Sequence, residues 1–525
     1  MSTPLTTALD RARGKAYMRL LPLLFVSYAI AYVDRINVSL AKLEMSKDLP
    51  GFNDKVIGFG AGVFFIGYFL LEIPGTLIVE KWSARKWISR IMISWGIVAA
   101  ITAFIHYRVP GVTWLAELTV RGVAALFESL ADFNLGWLSR QSHSIVMSLR
   151  GPDSPFILQF FSIRFLLGLA EAGFFPGVIV YLTHWFPARD RARALSWFFI
   201  ASPVAQFISP KLSYFLLRIG TTETFNNDVV IHHPVLWGMQ GWQWMYIAWG
   251  IPAVILGILV FWHLPDWPRE AHWLTPDERN ALEQELMREK QQHKLGHHHM
   301  TVLQALQHPQ VLLLAAAYFF VVTASYGVEF FLPSILENWY NLPLRQLTWA
   351  MLIPPIGGLI GQLLVGWSSD RTGERRLHGS IPIYAGALAL ACTLLIPTSL
   401  PYHLRLALAV LLFTMALMGL KAYMPAFWAL PSLILTDAAA AGSIGLINSV
   451  GNLGGFVGPF LLGYIKTETQ SFLIGLLYLC FSMIVSATII FTLRLGHGPS
   501  KKESLQGAQT ESLLNEEPDA IIEPV

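Results

Sequence analysis

"LLPLLFVSYAIAYVDRINVSLA" (residues 20–41) is long enough to cross a bilayer as one helix, since a span needs about 20 apolar residues. Within it stand Asp34 and Arg35, side by side. A charge near the centre of such a helix costs roughly 2.5–3.5 kcal/mol on insertion scales, and this span keeps two. Adjacent residues point about 100° apart on a helix, so the two side chains cannot both face one partner squarely. Two separate jobs suit that geometry better than one mutual neutralisation.

The rest of the chain repeats the pattern of this stretch. Of 525 residues, 54% are hydrophobic and 14% charged, whereas soluble domains carry about 25% charged residues. Apolar runs near 19–42, 57–79, 87–106, 157–183, 193–217, 242–264, 309–336, 346–368, 378–397, 404–431, 440–465 and 470–495 predict an all-α membrane protein. It has twelve transmembrane helices in two six-helix halves. Between the halves lies the hydrophilic "PDWPREAHWLTPDERNALEQELMREKQQHKLGHHHM". Basic clusters in the N-tail, "EKWSARKWISR", "PARDRARA", the central segment and "DRTGERR" all fall on one side. Both termini are therefore expected in the cytoplasm.

The expected organisation is an N-tail (1–18), an N-terminal half (19–264), a cytoplasmic linker (265–308), a C-terminal half (309–495) and a disordered C-tail (496–525). Residues 107–156 exceed what a short loop requires. Glu117, Arg121, Glu128, Asp132 and Arg140 interrupt them too often for a lipid span, so an outer insertion with one or two surface helices is expected. The N-terminus lacks a small-residue cleavage site, so the first span is read as retained and not as a signal peptide.

Several function classes find little support. The net charge of +3 is spread along the chain and offers nothing to nucleic acid. Cys392 and Cys480 lie in apolar runs and read as small core residues. His293 and His297–His299 read as a solvated loop, and no metal or cofactor is expected. No Ser/His/Asp or Cys/His order, phosphate loop or paired-cysteine motif argues for an enzyme.

The halves echo each other. "EKWSARK" (80–86) and "DRTGERR" (370–376) each follow the second span of their half and pair Glu80 with Asp370, Lys81 with Arg371, and Arg85 with Arg375. Matched loops at equivalent places are what a parallel-repeat transporter shows.

A second charged stretch, "RFLLGLAEAGFFPG" (164–177), puts Arg164 and Glu171 seven residues apart on one helix face. Spans one and four thus each carry an acid and an arginine. They are read either as ion pairs locking the two helices together or as a transport site. Chemistry divides the functional labour. Arginine stays charged and grips a carboxylate with two parallel hydrogen bonds, so Arg35 and Arg164 suit an organic anion. Desolvated carboxylates take up protons near neutral pH, so Asp34 and Glu171 suit proton coupling. Tyr32, Tyr68, Ser202, Gln206, Trp428 and Asn448 are candidate pocket residues. Glu72 is read as a brace for helix two. Glu329, placed near the outer end of helix seven, is read as a gate or second proton site. Gly451, Gly454, Gly455 and Gly458 allow close helix contact.

These residues carry a resemblance. "GWSSDRTGERR" is similar to the loop of the major facilitator superfamily between the second and third helices of a half. "YVDRINVS", "GYFLLEIPG", "RFLLGLAEAGFFPG" and "FWALPS…AAAAGSIGLINSVGNLGGFVGP" look like its anion:cation symporter family, in particular the bacterial tartrate, galactonate and hydroxyphenylacetate permeases. The resemblance covers nearly the whole chain except 107–156 and the tails. It implies a gating latch at Asp370, Arg371 and Arg375, with Glu80, Lys81 and Arg85 as the first-half copy. It implies carboxylate contacts at Arg35 and Arg164, and proton handling at Asp34 and Glu171. Glu329 stands where relatives carry a small or neutral residue, which speaks against a second negative charge on the solute.

The expectation is a monomeric symporter in the lipid of a bacterial cytoplasmic membrane, importing a small organic carboxylate with protons by alternating access. The competing readings are a facilitator or exporter of another small solute, and a transporter-like metabolite receptor.

Overall fold

The computed structural model describes residues 4–49, 51–107, 154–225, 229–294, 308–431 and 437–493, together with Gly111, Trp114 and Leu118. Most of the expected outer insertion, His297–His299 and the C-tail from 494 lie outside these residues.

Apolar runs of span length become helices, because only an internally hydrogen-bonded backbone tolerates hydrocarbon. The N-terminal group is α1 (Pro4–Asp48), α2 (Asp54–Lys81), α3 (Ala84–Ile101), α4 (Ser154–Glu171, resuming as Phe174–Thr183), α5 (Ala188–Leu217) and α6 (Gly241–His263). The C-terminal group is α7 (Pro309–Tyr340), α8 (Leu344–Ala350, resuming as Ile353–Thr372), α9 (Arg376–Thr393), α10 (Tyr402–Ala422, then Met424–Phe427), α11 (Asp437–Asn452, resuming as Gly454–Thr469) and α12 (Leu473–Thr492). Between the groups a linker helix spans Pro276–Lys294. Ten of these spans are long and apolar enough to cross a membrane, and α5 and α9 complete the expected twelve. A β-hairpin, β1 (Thr222–Phe225) antiparallel to β2 (Val229–His232), joins α5 to α6.

The interruption of α4 bears on the site. Gly173 sits at φ +83°, a left-handed conformation that ends helices and favours glycine, so Glu171 becomes the last residue of the first segment. Small residues then bring helices together. A Cβ on Gly168 of α4 would stand 1.9 Å from the Phe64 carbonyl of α2, and one on Gly458 of α11 would stand 2.1 Å from the Thr323 carbonyl of α7.

The two halves meet at the end remote from the N-terminus and the linker. There the first turns of α2 lie on the last turns of α11. The Lys55 amide donates to Thr467 Oγ1 (3.1 Å), and Phe59 packs edge-on against Phe456 and Phe460. At the same end Lys42 of α1 sits 3.5 Å from the Phe331 ring centroid of α7. Lys211 of α5 sits 3.9 Å from the Trp349 ring centroid of α8.

Candidate functional site

On α1, Tyr28, Tyr32 and Arg35 recur at helical spacing along one face, and that face looks toward α4 and α7. Arg35 Nε donates to Glu171 Oε1 at 2.6 Å, a charge-assisted bond across α1 and α4. The guanidinium also lies 5.1 Å from the Tyr68 ring centroid and 5.8 Å from that of Phe64, and Tyr326 of α7 stands beside it. Asp34 points elsewhere, as adjacent helical positions require. It accepts one long hydrogen bond from Asn37 (3.4 Å), and its Oδ2 has no partner among the described residues. Arg164 lies behind the Phe64 ring (5.2 Å). Its Nε donates to the Gly60 carbonyl (3.3 Å), and its Nη1 is unpartnered among the described residues.

The four sequence-predicted charged residues are therefore gathered at one place but not equivalently. One direct ion pair forms, Arg35–Glu171. Asp34 and Arg164 act on each other through space without a direct bond. Arg35 retains 13% exposure where Glu171 is sealed at 0%, and Arg164 and Asp34 are buried too.

The C-terminal half faces this cluster with a charged group of its own. Lys421 Nζ lies 2.6 Å from Glu329 Oε1. Ser325 Oγ donates to the same oxygen (2.8 Å), and the Tyr32 hydroxyl donates across from α1 to Oε2 (3.1 Å). Glu329 thus belongs to a cluster that joins the two halves. Sequence reasoning missed Lys421, although a lysine inside the apolar run 404–431 was a visible signal. Tyr326 and Tyr28 were missed as well. Nearby, Asn448 and Ser449 of α11 both donate to Glu72 of α2, so Glu72 spans the two halves where the sequence suggested a brace within one. Trp428 packs on Tyr318 and Phe427. Ser202 and Gln206 are half-buried on α5, without a described hydrogen bond to the charged residues.

Comparison with known proteins fixes the family. The model of the Major Facilitator Superfamily matches residues 142–459. A protein named "Putative tartrate transporter" from Agrobacterium vitis is 34% identical over 483 residues, covering 92% of this chain and 94% of that one. The chain belongs to the Major Facilitator Superfamily. It is a multi-pass membrane transporter and not an enzyme. A "Quinolone resistance transporter" from Acinetobacter baumannii is also 34% identical, over 90% of this chain and 92% of its own length. Among solved structures, the inward-open xylose transporter of E. coli aligns with a TM-score of 0.63 at 14% identity, over 94% of this chain and 99% of that one. At that identity the likeness carries the superfamily fold alone.

The paired loops of the superfamily fold differ between the halves. After α8, Arg375 Nη1 donates to Asp370 (2.6 Å) and to Ser369 Oγ (2.9 Å), while Arg371 stacks near Trp367. After α2, the Arg85 amide and Ser83 Oγ donate to Asp266, just beyond α6, at 2.8 and 2.6 Å. The Glu80 and Lys81 side chains lie outside the described set. The first loop is therefore hydrogen-bonded to the end of α6, whereas the hydrogen bonds of the second stay local and its Arg376 lies over the Phe491 ring of α12 (5.6 Å).

Proposed function

We propose that the chain is a proton-coupled symporter that imports a small organic carboxylate by alternating access, as a monomer in a bacterial cytoplasmic membrane. The observation that carries this reading is the cluster of Arg35, Glu171, Asp34 and Arg164 beside the inter-half seam. It sets two permanent cations among acids held away from water. Burying such charges is costly, so their retention points to function, and a relative named for tartrate transport fits an anion as the cargo.

In the proposed cycle, Asp34 and Glu171 load protons. Protonation of Glu171 frees Arg35 from its partner, and the carboxylate of the solute takes the place that Glu171 held. Arg164 supports the same negative charge from behind Phe64. Tyr32, Tyr68, Trp428 and Asn448 shape the pocket, and Ser202 and Gln206 approach the solute in another state. With both termini cytoplasmic, the closed seam is the outer one and this state opens inward. The loops at Asp370, Arg371 and Arg375, and at Glu80, Lys81 and Arg85, then latch the cytoplasmic side when the halves rock.

Uptake into proteoliposomes tests the proposal. Accumulation of tartrate or another small carboxylate is expected only with an inward proton gradient, and equal uptake without one would remove the coupling. The relative named for quinolone resistance favours export as the second reading. Efflux driven by the opposite gradient, with no uptake, would decide for it.

A further inference from the structure

The Glu329–Lys421 pair has no part in the cycle above. Its donors and acceptors are unevenly shared. Glu329 keeps the Tyr32 hydroxyl on one oxygen and Ser325 on the other, so two neutral donors hold it in place without Lys421. Around the lysine stand Glu329 at 2.6 Å, Ser325 Oγ at 3.4 Å and the Tyr32 hydroxyl at 3.5 Å. Glu329 is its one charged contact among the described residues. The Lys421 side chain is 22% exposed where Glu329 is 7%, which parallels slightly exposed Arg35 on sealed Glu171. In each half, then, a partly accessible cation is clasped by an inaccessible carboxylate.

The two cations also share a neighbour, since the charges of Arg35 and Lys421 both act on Tyr326. Tyr32 and Arg35 are three residues apart on α1, and Tyr326 and Glu329 three apart on α7, so each couple shares a helix face with Cβ atoms about 5–6 Å apart. Lys421 touches Tyr32 and Glu329, while Arg35 lies on the same α1 face and beside Tyr326. The ammonium and the guanidinium thus approach the Tyr32–Tyr326 region from opposite halves.

We propose that Lys421 is a second anion-binding residue and that the solute is a short dicarboxylate, held by Arg35 at one end and Lys421 at the other. This rests on the carboxylate reading and narrows it. Glu329 is the internal placeholder, a carboxylate that Lys421 exchanges for that of the solute, while Tyr32 and Ser325 keep hold of Glu329. Lysine suits the exchange because its ammonium is a compact charge with three rotatable donors on a flexible stem. A solute with one carboxylate has nothing to draw Lys421 from Glu329. One with two grips both halves at once, and Glu329 takes up a proton as Lys421 leaves it, so that no unmatched charge faces the second carboxylate.

Binding to the purified full-length protein, measured by calorimetry with matched pairs, tests this. Tartrate and threonate share a four-carbon skeleton and differ in one terminal carboxylate against CH2OH, and succinate and 4-hydroxybutyrate form a second such pair. The protein is expected to prefer the diacid of at least one pair by about 10-fold or more, the scale of one charge-assisted bond. Lys421→Met alone would strand Glu329, so it is combined with Glu329→Gln, and this double variant is expected to bring the ratio to about one. Lys421→Arg is expected to keep the preference, and Arg35→Lys to weaken both members. A ratio unchanged in the double variant, or near one in the unaltered protein, overturns the role of Lys421 and leaves the carboxylate reading standing. Failure of the unaltered protein to bind either member of both pairs overturns both.

Discussion

Arg35 and Asp34 are neighbours in sequence, yet their environments assign them opposite energetic roles. Arg35 and Glu171 form a closed pair, and removing one partner of a buried pair costs about 3–5 kcal/mol because the other charge is left uncompensated. Asp34 carries an unpartnered oxygen instead, so neutralising it relieves a burial cost. Glu171→Gln is therefore expected to lower the unfolding temperature in detergent, whereas Asp34→Asn is expected to leave it unchanged or raise it. Equal losses from both would show that Asp34 is tied as firmly as Glu171. Function separates them differently. Asp34→Asn is expected to keep solute counterflow and lose gradient-driven accumulation, and accumulation at the normal level would remove Asp34 from proton coupling. The sequence made these four charges legible because a charge in an apolar run stands out. It left their pairing open, because which acid meets which arginine depends on how α1 and α4 are rotated. Lys421 escaped notice for a related reason. It stands in its apolar run with no acid beside it, and its partner Glu329 lies on a different helix, so nothing in the sequence joins the two. In the fold the ammonium stays against α1.

At the scale of elements, span length and apolarity made the twelve helices readable, while the break in α4 was hidden because Gly173 is one more small residue in an apolar run. The crossing of α2 and α4 sets the site, since Phe64 lies within 6 Å of both guanidiniums and its carbonyl abuts Gly168. Gly168→Val is expected to push the helices apart, at about 1–3 kcal/mol for an overpacked contact, lowering the unfolding temperature and abolishing uptake. Unaltered stability would show that the crossing has slack. The linker helix is anchored by a different device. Glu278 and Thr275 cap its first turn reciprocally, as a capping box does, and Lys15 and Arg11 of α1 reach Glu278 at 2.7 and 3.4 Å. Burial pushes the Glu278 carboxyl up, but hydrogen bonds from Lys15, Thr275 and Arg11 together hold it below its usual range. A depressed carboxyl stabilises above its ordinary value and loses that contribution as pH falls through the lowered one. The anchor is therefore complete at neutral pH and is released as pH falls below the usual carboxylate range. Glu278→Gln is expected to speed amide exchange in 276–294 at pH 7, and unchanged exchange would show that packing alone holds the helix.

For the molecule as a whole, the asymmetry of the seam is what function has to reverse. Contacts join the halves at the end remote from the linker, through Lys55 with Thr467, Lys42 with Phe331 and Lys211 with Trp349, whereas the loops after α2 and α8 bond within their own halves. Rocking between two states requires the joined end to part, because a solute cannot reach Arg35 from that side while α2 lies on α11. A covalent tie there tests the requirement directly. In a chain with Cys392 and Cys480 replaced by alanine, Lys55→Cys and Thr467→Cys put one thiol on each side of the seam, at two positions already close enough for the Lys55 backbone amide to donate to Thr467 Oγ1 at 3.1 Å. Oxidation is expected to stop uptake entirely, and reduction to restore it. Ser83→Cys with Asp266→Cys, within one half, provides the comparison. Those two segments have no need to separate, so that tie is expected to leave uptake largely intact. Full uptake by the oxidised seam variant would mean that the halves never part there, and alternating access by rocking would have to be abandoned for this protein.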